Sequence, residues 1–255
     1  MLLAIVFSFT GEKLILHKKI YIQGNYFTTD NLGACYLVDG DEMTKYDENG
    51  TVFKKFSIKA FGKIESIDAS NPLKVLLYYK DFAKIIYLDN TLSLNGNPID
   101  LEDVELTQAS LACSSHDNGI WLYNQQKFEI LRLDQNLKTA QQSGNLNQLL
   151  GVDIQPNFLC EYNNSVYLNN PKTGILVFDI FGTYVKTIPI PSLKNFQVSN
   201  NAIYFLRDNK MVAYDLKITE ETEQSLIENN YKELRTEKGA LYLKSDEVID
   251  IFHVK

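Results

Sequence analysis

Six short runs of strand-forming residues recur along the chain: Cys35-Tyr-Leu37, Val75-Leu-Leu77, Ile120-Trp-Leu122, Val166-Tyr-Leu168, Ile203-Tyr-Phe205 and Leu241-Tyr-Leu243. Turn chemistry precedes each one, in order Asn31-Leu-Gly33, Asn71-Pro-Leu73, Asp117-Asn-Gly119, Asn163-Asn-Ser165, Asn200-Asn-Ala202 and Lys238-Gly-Ala240. Asn, Asp and Gly tolerate the positive φ of tight hairpins, so these segments predict turns between antiparallel strands. A second landmark follows each run: Lys45-Tyr-Asp47, Tyr87-Leu-Asp89, Arg132-Leu-Asp134, Val177-Phe-Asp179, Ala213-Tyr-Asp215 and Ile251-Phe-His253. It predicts a third strand that ends on an aspartate, and once on a histidine. A fourth strand is predicted where Thr51-Val-Phe-Lys-Lys-Phe56 and Thr183-Tyr-Val-Lys-Thr-Ile188 follow.

The second landmarks recur every 36 to 45 residues, close to the propeller-blade period of about 40–45, which accommodates four short strands. Six marks and no long gap between them predict an all-β, six-bladed β-propeller. The last repeat stops after its third strand, while Leu14-Ile-Leu-His-Lys-Lys-Ile-Tyr-Ile22 precedes the first repeat unpaired. Docking this N-terminal strand on the last blade completes it and covers an otherwise open sheet edge. A solenoid would instead need polar caps at two ends. The one helix-compatible stretch, Thr219 to Asn230, is expected to be an insertion in blade five or a polar outer strand. The expected organisation is a single domain over 13–255, with an apolar leader over 1–12.

Composition narrows the partners. Apolar residues make up 45% of the 255-residue chain, enough for a sizeable core. The formal net charge of −7, with basic residues scattered and clustered no more densely than the pairs Lys18–Lys19 and Lys54–Lys55, opposes binding to nucleic acid. Three cysteines, Cys35, Cys113 and Cys160, make no disulfide framework and read as small buried side chains. Met1-Leu-Leu-Ala-Ile-Val-Phe-Ser-Phe9 is far too short to span a bilayer as a helix, and it fits the apolar part of an export signal.

Candidate chemistry is sparse. Cys113 and His116 have the spacing of one half of a zinc site, with Asp117 beside them, but zinc needs a second pair. Tyr36, Trp121, Tyr167, Tyr204 and Tyr242 occupy one equivalent position in their repeats, with Leu76 as the sixth. They are expected to pack between blades rather than to form a belt for sugars or peptides. Asp47, Asp89, Asp134, Asp179 and Asp215 fall at strand ends, where Asp caps its own turn. The first strands offer Thr28, Asp30, Asp68, Cys113, Glu161, Gln197 and Arg235, with no evident acid/base pair. No residue is assigned a catalytic, cofactor-binding or metal-binding role.

A family resemblance supplies the functional expectation. The residues that carry it are Leu16-His-Lys-Lys-Ile20 through Gly62-Lys-Ile-Glu-Ser-Ile-Asp68, then Asn71-Pro-Leu-Lys-Val75, Tyr79-Lys-Asp-Phe82 and Ile86-Tyr-Leu-Asp-Asn90. This stretch resembles a family of exported propellers of the Bacteroidetes, similar to the periplasmic plug protein of the type 9 secretion translocon. The resemblance implies a periplasmic protein without enzymatic activity or cofactor. Its partner would be a protein, the outer-membrane translocon, and it would not span the membrane. The alternative is a six-bladed enzyme of the lactonase or lyase kind working at the central channel.

Overall fold

A computed structural model describes residues 14–24, 26–226 and 230–254. The leader expected over 1–12 lies outside them. The described residues form six four-stranded antiparallel sheets, one per repeat. They fall into two compact units, one within 57–194 and the other made of the described residues within 14–56 and 195–254.

The 57–194 unit holds three blades. Blade two is built from Ser66–Asp68, Val75–Tyr79, Lys84–Leu88 and Ile99–Asp100. Blade three has Ala109–Ser114, Ile120–Asn124, Glu129–Leu133 and Thr139–Gln142, and blade four has Phe158–Tyr162, Ser165–Asn170, Gly174–Asp179 and Tyr184–Ile188. Side chains of period two divide each second strand between two cores. In blade three, Ile120 and Leu122 pack with Leu76, Tyr78 and Ile85 of blade two. Trp121 and Tyr123 on the opposite face pack with Leu159, Val166, Leu168 and Phe178 of blade four. Burial on both faces explains why these strands read as continuous apolar runs instead of alternating ones.

The other unit holds blades one, five and six. Blade one is Tyr26–Thr29, Cys35–Asp39, Glu42–Tyr46 and Val52–Ser57, and blade five is Gln197–Ser199, Ala202–Arg207, Lys210–Asp215 and Glu221–Ser225. Blade six draws Glu233–Glu237, Ala240–Lys244 and Val248–Val254 from the C-terminal end of the chain and Leu14–Tyr21 from the N-terminal end. Leu14–Tyr21 lies antiparallel on Val248–Val254, with a register shift between Leu16 and Lys18. Lys19 Nζ lies 3.2 Å from Asp250 Oδ2, a carboxylate only 1% exposed that also accepts from Tyr231 Oη at 2.6 Å. Next to the register shift, His17 meets His253 edge to face, with ring centroids 4.7 Å apart.

The aspartate landmarks build the turns after the third strands. Asp47 Oδ1 accepts from the amides of Asn49 and Thr51. Asp89, Asp134 and Asp179 repeat the geometry with Thr91 and Ser93, Asn136 and Lys138, and Phe181 and Thr183. Asp215 caps Lys217 and Ile218 in a turn one residue longer. The fourth turn position takes positive φ, at Gly50 and Gly182 but also at Leu92 and Leu137. There the aspartate's two hydrogen bonds hold a backbone conformation that leucine disfavours.

The stretch from Thr219 resolves as the polar outer strand Glu221–Ser225. Arg207 pairs with Glu221 and Glu223, and Lys210 Nζ lies 2.6 Å from Glu223, so cross-strand charges hold glutamates that would otherwise favour a helix. The α-helix among the described residues is elsewhere, at Leu146–Leu150 in the connection from blade three to blade four. Its signals were local: Asn145 caps the amide of Gln148, and Gly151 ends it at φ 67°.

Candidate functional site

The chemistry-bearing residues of the 57–194 unit converge at the turns that join the first and second strands of its blades. These turns surround a cavity of about 370 Å³ lined by residues of blades two, three and four, among them Lys74, Tyr87, His116, Asn118 and Glu161. Glu161 lies one residue before the end of the first strand of blade four and is the hub of the arrangement. Its Oε1 accepts from the His116 amide at 3.0 Å and lies 2.9 Å from His116 Nδ1. Its Oε2 accepts from Ser115 Oγ at 3.0 Å and from Trp121 Nε1 at 2.6 Å. Four donors on two oxygens saturate a carboxylate whose side chain is 7% exposed. His116 is 40% exposed, and with Nδ1 committed its Nε2 is the nitrogen left to a ligand.

This pair is the acid/base constellation that the first-strand residues alone did not reveal. Glu161 was a candidate, but its partner sits in the turn of the preceding blade, far away in the sequence. Cys113 and His116 do not act together. Cys113 is buried in the core with Trp121, and burial raises its thiol pKa well above the usual range, while His116 turns to Glu161. Among the described residues, no group of three or more His, Cys, Asp or Glu is placed to hold a metal ion.

The remaining candidates serve the scaffold. Asp68 accepts from the amides of Ser70 and Ser114 at 2.9 and 2.7 Å. Burial raises the Asp117 carboxyl, but its pairing with Arg132 prevails and brings it down to about 2. Asp30 accepts from the Leu32 and Ala34 amides and from Tyr36 Oη. Arg235 donates to the Phe196 carbonyl at 2.8 Å. Thr28 is buried. All six residues of the equivalent second-strand position, Tyr36, Leu76, Trp121, Tyr167, Tyr204 and Tyr242, are buried as packing. Cys35 is also buried and Cys160 half-buried, and all three cysteines are free thiols.

Sequence reasoning missed Glu237, the last residue of the first strand of blade six, just before the Lys238-Gly239 turn. Its Oε1 accepts from Thr29 Oγ1 at 2.9 Å and from Gln197 Nε2 at 2.8 Å, tying together the first strands of blades one, five and six. Burial pushes its carboxyl up to about 7, against the lowering effect of these donors and of Arg235. The folded state therefore holds a proton that the unfolded state has already released. Stability is expected to rise as pH falls from about 7 towards 4.5, by on the order of 3 kcal/mol across the window. Denaturant melts of the native chain and of Glu237→Gln should separate at neutral pH and draw together at pH 4.5. Parallel curves would exclude this origin.

No family model and no curated protein matches the chain. Solved structures do. A streptogramin B lyase superposes with a TM-score of 0.62 at 12% identity, covering 93% of this chain and 98% of that one. The chain is a six-bladed β-propeller. A catalytically inactive variant of virginiamycin B lyase from Staphylococcus aureus, with quinupristin, gives a TM-score of 0.60 at 15% identity over 92% of this chain and 88% of that one. BamB from Moraxella catarrhalis gives 0.50 at 13% identity, over 89% and 81%. At such identities the likeness concerns the fold.

Proposed function

We propose that this propeller is a non-enzymatic interaction protein of the periplasm, an accessory plug subunit of the type 9 secretion translocon. The observation that carries the non-enzymatic reading is the commitment of its carboxylates. Asp68, Asp117 and Glu161 of one unit, and Asp30 and Glu237 of the other, all accept hydrogen bonds from within the fold. Such groups hold turns and strands in place, and Glu161 accepts four such bonds. Exposed apolar side chains on loops and turns, Leu73, Leu94 and Phe181, suit a face that docks on protein. The plug assignment rests on the family resemblance. A tagged chain isolated from a native Bacteroidetes envelope in mild detergent is expected to bring down a large outer-membrane barrel subunit. A chain recovered without that barrel, or outside the envelope fraction, would overturn the assignment.

One observation favours a second reading, an enzyme of the lactonase or lyase kind. Glu161 orients the imidazole of His116, which lines the cavity, through Nδ1 and leaves Nε2 uncommitted, as a general base requires. Substituting Asp30, Asp68, His116 and Glu161 one at a time separates the two readings. Docking surfaces spread their energy over many contacts, so each well-folded variant should keep its function in cells. Complete loss in one folded variant would establish the enzyme instead.

A further inference from the structure

The turn-side cavity of blades two to four carries more charge information than docking requires. Lys74 is half-buried in its wall, and burial lowers its pKa. It sits 4.2 Å above the centroid of the Tyr87 ring, and its nearest described polar contact is the neutral Asn118 Oδ1 at 3.4 Å. It makes no ion pair among the described residues, although eight other lysines of this acidic chain pair with carboxylates. The one carboxylate lining the cavity, Glu161, is saturated by its four internal donors. The hydroxyls of Tyr87 and Ser114, both residues of this wall, are buried with no hydrogen-bond partner in the fold, and Tyr87 as a whole is only 8% exposed. Buried polar groups are ordinarily satisfied, and those left over mark a place where something else supplies the bond.

We infer that this cavity binds a small hydroxylated monocarboxylate, held by the Lys74 ammonium and by His116. Its volume of about 370 Å³ lies at the small end of the range for small-molecule sites. One ammonium beside one imidazole matches a single negative charge. A dianion such as phosphate would also meet the fields of Glu161 and of Asp68 behind Ser114. Asn71, Asn118, Asn163 and Asn164 stand exposed around the mouth, each with a donor and an acceptor on its amide, which is the pairing that hydroxyl groups satisfy. The ammonium draws in the carboxylate, and the asparagines read the hydroxylated body.

Calorimetric titration of the full chain with D-galacturonate and D-gluconate tests the site, with D-galactose and inorganic phosphate as the neutral and dianionic counterparts. At least one of the two carboxylates should bind saturably, with galactose and phosphate at least about tenfold weaker. Lys74→Met, with an unchanged melt, should weaken that binding by about tenfold or more. Should Lys74→Met fail to fold, Asn118→Ala takes its place and should weaken the same binding. The chain has three histidines, so imidazole NMR gives an independent reading, in which the carboxylate should move the His116 signals and leave His17 and His253 in place. Absence of saturable carboxylate binding, or undiminished binding by a folded Lys74→Met, would overturn the inference. Equal binding of galactose or phosphate would overturn it as well.

Discussion

Trp121→Ala is expected to destabilise the protein by on the order of 3–5 kcal/mol, the cost of emptying a large site in a well-packed core. The indole has no exposed surface and packs among Ile130, Leu159, Val166, Leu168 and Phe178. Its Nε1 is also one of the four donors that satisfy Glu161, so truncation leaves a nearly buried carboxylate short of a hydrogen bond as well as opening a void. Trp121→Phe separates the two effects, because it keeps most of the apolar volume and removes only the donor. Urea or thermal melts give the size of the loss. This is the single tryptophan of the chain, so its fluorescence reports on this site alone. The emission of the native protein should lie well to the blue of free tryptophan. An emission maximum equal to that of tryptophan in water would place the ring at the surface and raise the binding-belt alternative.

Cutting the chain before Ala34 should abolish cooperative folding. The cut removes the fourth strand of blade six and the first strand of blade one. With them go Ile20, Ile22 and Phe27, which pack against Cys35, Tyr242, Ile249 and Ile251. It also strips Asp250 of Lys19, and an almost fully buried carboxylate without its cation is strongly destabilising, by about 3–5 kcal/mol in comparable cases. What remains exposes the unpaired edge of Val248–Val254, an invitation to aggregation. Parallel circular dichroism melts decide the matter. A truncated chain that melts as sharply and as high as the whole one would show that this strand contributes little.

The blades were legible because propeller repeats write the same local physics several times. Asn163-Asn-Ser165 and Asn200-Asn-Ala202 could be read as tight turns because both asparagines in each take positive φ, which few other residues do at low cost. Asp89 and Asp134 could be read as turn caps for the same local reason, and the structure places leucines at the strained position beside them. The site was less legible. Glu161 and His116 are joined across two blades, and no periodicity in a single sequence announces a contact between a strand end and a turn one repeat earlier. Glu237 was hidden in the same way, since Thr29 and Gln197, which hold it, lie in other repeats. The short helix at Leu146–Leu150 carried its caps in plain view, at Asn145 and Gly151, but it is too short for an apolar period to reveal.

The pairing of Leu14–Tyr21 with Val248–Val254 also governs the order of events in folding. Hairpins such as Ser165–Asp179 join neighbours in sequence and can close as soon as they leave the ribosome. Leu14–Tyr21 finds its partner only when Val248–Val254 has been made, and the loop between them takes in all the other blades. That closure is entropically the most demanding contact in the molecule, so blade six is the natural late step. Until then Leu14–Tyr21 and the edge of blade six are both open to other strands. A chain held before Val248–Val254 is made is therefore most vulnerable to mispairing at these two strand edges.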